Sequence, residues 1–167
     1  MIFHKTAHKI CVCKELFVTL HGYCVKVAGT CPFPHSRIII NHRNKYDMTE
    51  EIKTLVDTAV KGIQEKKGRN IQVIDMEGME GVITQAFVVC EGGSPSQVSA
   101  IVDSVEETMR KELKEKTVKM AGLENCIWVA MDYVDIIVHV FLPDAREFYN
   151  LENLWADAPT TIIPDID

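Results

Sequence analysis

From Met48 to Phe141 the apolar positions recur with two different periods, and their alternation lays out a series of helices and strands. Ile52, Leu55, Val56, Ala59, Val60 and Ile63 follow the i, i+3, i+4, i+7, i+8, i+11 spacing of one helix face. Glu50 and Glu51 suit its positive end and Lys66-Lys67-Gly68 closes it, so a helix is predicted over 49–67. Ile71 to Met76 and Ala86 to Cys90 are apolar runs of strand length, separated by a glycine-bearing turn at Glu77 to Gly81. A second helix opens at Ser94, which can cap the amide of Gln97, while Pro95 takes the first helical position, where a missing N–H costs nothing. Val98, Ile101, Val102, Val105, Met109 and Leu113 form its stripe, which fades into the lysine-rich stretch 114–119. Strands are predicted over 126–131 and 136–142 across a turn flanked by Asp132 and Asp135, the second of them apolar enough to be covered on both faces. The order α-β-β-α-β-β predicts an α/β (α+β) domain of two layers, with helices packed on a small mixed sheet.

Charge divides the chain at Asp47. Residues 1–47 hold seven Lys/Arg against Glu15 and Asp47, a balance of +5, whereas residues 48–167 hold eleven against twenty-two acids, a balance of −11. With 47% hydrophobic residues in 167, one domain with a sizeable core is expected, beginning at Met48. Residues 1–47 read most simply as an extension upstream of the natural start. Five of the six histidines lie there with four cysteines, but Cys11, Cys13, Cys24 and Cys31 lack the paired spacing of structural zinc sites, and a transit peptide would be richer in Arg and Ser. No apolar run spans a bilayer and no secretory signal opens the chain, so a cytoplasmic protein is expected, with Cys90 and Cys126 as buried free thiols.

Candidate chemistry is sparse. His139, between Val138 and Val140, is expected to be a buried ring hydrogen-bonded to a carboxylate or backbone group, because no nucleophile is placed beside it. Asp132 and Asp135 are expected to shape their turn and Ser94 to cap its helix. Tyr149 to Trp155 reads as a segment that packs on the sheet.

The string D-Y-x-D-(apolar)3-H-V-F-x-P-x-x-R-x-x-Y-x-L-E-x-L-W, from Asp132 to Trp155, resembles the signature of the Iojap, or ribosomal silencing factor, family. Lys66 to Asp75 and Gly92-Gly93-Ser94 match further family segments, while Pro95-Ser96 and Gln85-Ala86-Phe87 depart from them. The resemblance covers 48–158, which makes that the expected domain and 159–167 a short tail, and implies a nucleotidyltransferase-like fold without its active site, no catalysis and no cofactor or metal. It also implies a partner: large-subunit ribosomal protein fourteen, bound at the face that meets the small subunit, so that subunit joining is blocked when nutrients are scarce. For the contact surface it points to an exposed Trp128, to Met131, Asp132 and Tyr133 in the adjoining turn, and to Lys119, Gly122 and Glu124 in the loop before that strand. Direct nucleic-acid binding is not expected of so acidic a domain, and a homodimer stays open. The alternative is a nucleotide-handling enzyme using a divalent metal. Such an enzyme needs two carboxylates at i and i+2 on one strand beyond the Gly-Ser turn, whereas Asp132 and Asp135 straddle a turn and Asp75 and Glu77 precede the glycines.

Overall fold

A computed structural model describes residues 48–79 and 81–166, so the expectations for residues 1–47 lie outside the described residues. The elements are α1 (Glu50–Glu65), β1 (Arg69–Asp75), β2 (Ala86–Glu91), α2 (Pro95–Glu112), β3 (Lys119–Ala121), β4 (Trp128–Asp132), β5 (Ile136–Phe141), α3 (Pro143–Tyr149), α4 (Leu151–Leu154) and β6 (Thr160–Ile163). The six strands form one mixed sheet in the order β3-β4-β5-β2-β1-β6, in which β2 and β5 run parallel and every other pair is antiparallel.

Both predicted helix starts are capped by side chains: Thr49 Oγ1 accepts from Ile52 N and Ser94 Oγ from Gln97 N. The stripes of α1 and α2 cover one face of the sheet, burying Ile52, Val56 and Ile63 with Val98, Ile101 and Met109 over Val88, Val138 and Val140. Gly62 permits this layer, since a Cβ there would stand 2.8 Å from the Cα of Val105. The opposite face carries Ile74, Phe87, Val89, Ala130, Ile137 and Phe141, closed over by Ala145, Leu151 and Ala158 from the C-terminal segment. β5 is therefore buried at all six positions, the doubly covered strand that its sequence predicts.

Three boundaries differ from the sequence reading. The fourth strand begins at Trp128, because Cys126 has φ 51° and its N–H closes a turn onto Gly122 O. Lys119, expected at the end of the lysine-rich stretch and in the loop before the fourth strand, instead opens the edge strand β3 with Met120 and Ala121. Residues 159–167, expected as a tail beyond the domain, instead contribute β6, whose Thr160 to Ile163 pair with Ile74 to Ile71.

Candidate functional site

Successive residues of β4 point to opposite faces of the sheet, and that alternation decides the fate of the predicted contact residues. Val129, Met131 and Tyr133 face the α1/α2 layer; Trp128 and Ala130 face the C-terminal segment. Met131 is fully buried and Tyr133 is 4% exposed, with burial raising the Tyr133 phenol above its ordinary pKa. Neither side chain can meet a partner on this surface, which corrects both expectations. Asp132 is likewise buried, and its Oδ1 accepts the Val134 N–H at 2.8 Å, so the carboxylate shapes the turn. Asp135 accepts from Gln85 Nε2 at 3.0 Å, tying that turn to the start of β2.

Trp128 is half-buried, less open than expected. Its register partner on β5 is Phe141, and the two rings stack with centroids 4.6 Å apart, while Tyr149 of α3 approaches the indole from above, also at 4.6 Å. The indole Nε1–H donates to His139 Nδ1 at 3.2 Å. The partner of His139 is thus an aromatic donor, where a carboxylate or backbone group was expected. Accepting at Nδ1 requires a neutral ring with its proton on Nε2, and burial beside Phe87 lowers the His139 pKa to about 3. His139 is a fixed acceptor rather than a general base.

The remaining predicted residues divide between the two ends of the β3–β4 hairpin. Lys119 is exposed and pairs in register with Asp132, about 13 Å along the strand from Trp128 at roughly 3.3 Å per residue. Gly122 and Glu124 are exposed in the loop beside Trp128. Gly122 is needed for its backbone: it has φ +90°, and a Cβ would come within 1.9 Å of Trp128 O.

A neighbouring set of residues escaped the sequence reading. Phe148 is 80% exposed, and Tyr149, Leu123 and Ile127 are between 38% and 45% exposed around the same end of the hairpin. Helical geometry could have found Phe148, because α3 turns Ala145, Arg146 and Tyr149 toward the sheet and leaves position 148 well off that side. α3 itself is firmly seated. Pro143 opens it, and Asn150 in the left-handed conformation (φ 44°) both ends it and caps α4. The 90%-buried Arg146 side chain donates from Nε to Glu152 Oε1 at 2.7 Å and places Nη1 3.7 Å from Glu91 Oε2. Beyond α3 lies an open groove of about 360 Å³, lined by Gln72, Glu91, Arg146, Glu147, Asn150 and Glu152.

The groups that could have served nucleotide chemistry are used internally. Gly93 N–H donates to Gln97 Oε1 at 2.9 Å, and Gln97 Nε2 in turn bonds the carbonyls of Lys66 and Lys67, locking the Gly-Ser turn to the end of α1. Asp75 Oδ1 accepts from Glu77 N. Burial pushes the Cys90 thiol up to about 12, far from a reactive thiolate. Among the described residues no cluster of His, Cys, Asp and Glu is placed to hold a metal, and no helix is long and apolar enough to cross a membrane.

Fold and surface together define an α+β domain of two helical layers around a mixed sheet, distinguished by an aromatic corner where β4, β5 and α3 meet. The family described as "Ribosomal silencing factor during starvation" matches residues 49–167. The ribosomal silencing factor RsfS of Bacillus subtilis is 36% identical over 115 residues, 69% of this chain and 93% of that protein. That of Halalkalibacterium halodurans is 37% identical over 106 residues, 64% and 89%. A crystal structure of a Chromobacterium violaceum protein superposes with a TM-score of 0.59 at 32% identity, covering 63% of this chain and 86% of the other. The chain belongs to the ribosomal silencing factor family.

Proposed function

We propose that this protein docks on large-subunit ribosomal protein fourteen and, by occupying the face that meets the small subunit, sterically blocks subunit joining and represses translation when nutrients are limiting. The observation that carries the reading is the half-exposed Trp128, held by Phe141, Tyr149 and His139 in an acidic part of the chain. From residue 120 to the end the sequence has nine carboxylates against one cation, Arg146, which is itself buried and paired. So acidic a segment repels a phosphate backbone and favours a basic protein surface. Trp128 is the first contact, with Lys119, Gly122 and Glu124 around the hairpin. The protein acts in the cytoplasm and breaks no bond. A nucleotidyltransferase reading finds no support where the Gly93 amide is already taken by Gln97.

Sedimentation of a lysate tests the reading directly, since the protein should travel with free large subunits and be absent from joined ribosomes. Trp128→Ala should weaken binding to the isolated ribosomal protein by about 2 kcal/mol, roughly thirtyfold. Because the indole is stacked and hydrogen-bonded, this variant will also melt lower, so the affinity is read below its melting transition. Unchanged affinity in folded Trp128→Ala protein would remove Trp128 from the interface.

A further inference from the structure

The Trp128 corner does not end at Trp128. Phe148 is more exposed than any other large apolar side chain described, and a lone exposed phenylalanine would call for no explanation. This one is not alone. Its ring meets Tyr149 edge-on with centroids 5.1 Å apart, and Tyr149 in turn lies 4.6 Å from Trp128, so three aromatic rings form a line of contacts from the end of α3 to the start of β4. The 122–127 loop is held against the start of α3, where the Ile127 carbonyl accepts the Leu142 N–H at 2.8 Å.

The line is preorganised. Arg146, one turn before Asn150, is tied to Glu152 of α4 and faces Glu91 of β2, so the helix that displays Phe148 is pinned at both flanks. A rigid aromatic loses little freedom on binding, which is the usual property of an interface anchor. Charge then selects among occupants. Glu147 is exposed next to Phe148 and Asp144 one turn before it on α3, Glu124 is exposed in the 122–127 loop, and no exposed Lys or Arg occurs in the described residues 120–166. RNA and anionic membranes would be repelled, and a second copy of the chain would bring like charge against like.

We propose that Phe148, with Tyr149, forms a second anchor of the docking surface, and that it receives an apolar spot ringed by Lys and Arg on a basic protein. This rests on the reading of the preceding subsection and extends it to a residue outside the hairpin.

The test uses the full chain and isolated large-subunit ribosomal protein fourteen, comparing wild type, Phe148→Ala, Trp128→Ala and Ile162→Ala. Ile162 is the control, 72% exposed on β6 at the far edge of the sheet. Phe148→Ala should weaken binding about tenfold or more while its melting temperature matches wild type, and Phe148→Asp should weaken it further. Ile162→Ala should bind as wild type does, and wild-type affinity should fall as salt rises. If Trp128→Ala weakens binding and Phe148→Ala does not, this second anchor is overturned while the first reading stands. Wild-type protein that binds neither the ribosomal protein nor the large subunit overturns both. A wild-type dimer that Phe148→Ala converts to monomer assigns the patch to a second copy and overturns the proposed occupant.

Discussion

His139 is kept neutral by burial, with its Nδ1 committed to the Trp128 indole, and this makes the stability of the domain depend on pH. In the unfolded chain an ordinary histidine takes up a proton near 6.5, while in the folded protein it resists until about 3. Between those values the unfolded state binds the extra proton, so this contribution to stability is complete above pH 6.5 and is lost as the pH falls toward 3, at up to about 1.4 kcal/mol per pH unit. Melting curves should therefore show wild type losing more stability between neutral and mildly acidic pH than His139→Gln does. Equal slopes would show that the ring is not held neutral. Val134 is a second residue with a readable cost. Asp135 N–H bonds back to Tyr133 O at 3.0 Å around a Val134 φ of +74°, a tight turn of the rare, strained hand on a β-branched residue. Since Val134 is 57% exposed, Val134→Gly gives up little burial and should raise stability by about 1 kcal/mol, visible as a melting temperature higher by roughly 4 °C. The sequence showed that Asp132 and Asp135 would build this turn, but positive φ at a valine has no signature in residue type.

At the level of elements, legibility followed the strength of the local signal. α1 and α2 could be read because stripe, cap and end coincide, and β5 because six consecutive positions are apolar or aromatic enough to be enclosed. β3 and β6 are edge strands of three and four residues, too short for a period to register, and what makes them strands is the partner each finds across the sheet. The contact surface was misread for a related reason. Trp128, Met131, Asp132 and Tyr133 are neighbours in sequence, but strand alternation assigns Met131 and Tyr133 to the layer beneath the helices. The pairing of α3 with its surroundings depends on Arg146, a buried cation facing two carboxylates. Arg146→Leu should therefore cost about 2 to 3 kcal/mol, because Glu91 and Glu152, on the wall of the open groove, would lose their counter-charge. Chemical denaturation would measure it. A loss below about 1 kcal/mol would show that water already screens the pair.

For the molecule as a whole, the described residues 48–166 already hold two capped helices, both buried layers and a six-stranded sheet. Residues 48–167 expressed alone should thus match the full chain in circular dichroism and melt within a few degrees of it. A large loss on removing residues 1–47 would show that the N-terminal segment is part of the fold.

The sheet joins its ends late. β1 is enclosed between β2 and β6, and Ile71 pairs with Ile163, so a strand made near the beginning of the domain acquires its outer neighbour only from almost the last residues of the chain. Closing so long a loop is entropically slow and must follow the rest of the sheet. During synthesis, then, every nascent chain passes through an interval in which the rim of β1 is open, its amides and carbonyls free to template another strand. A chain halted before Thr160 would remain in that state, and a version ending at Ala158 should scatter light on standing where the complete domain stays clear. For this fold, completion is an event in time as much as in space, reached only once Thr160 to Ile163 have been made and found their place beside β1.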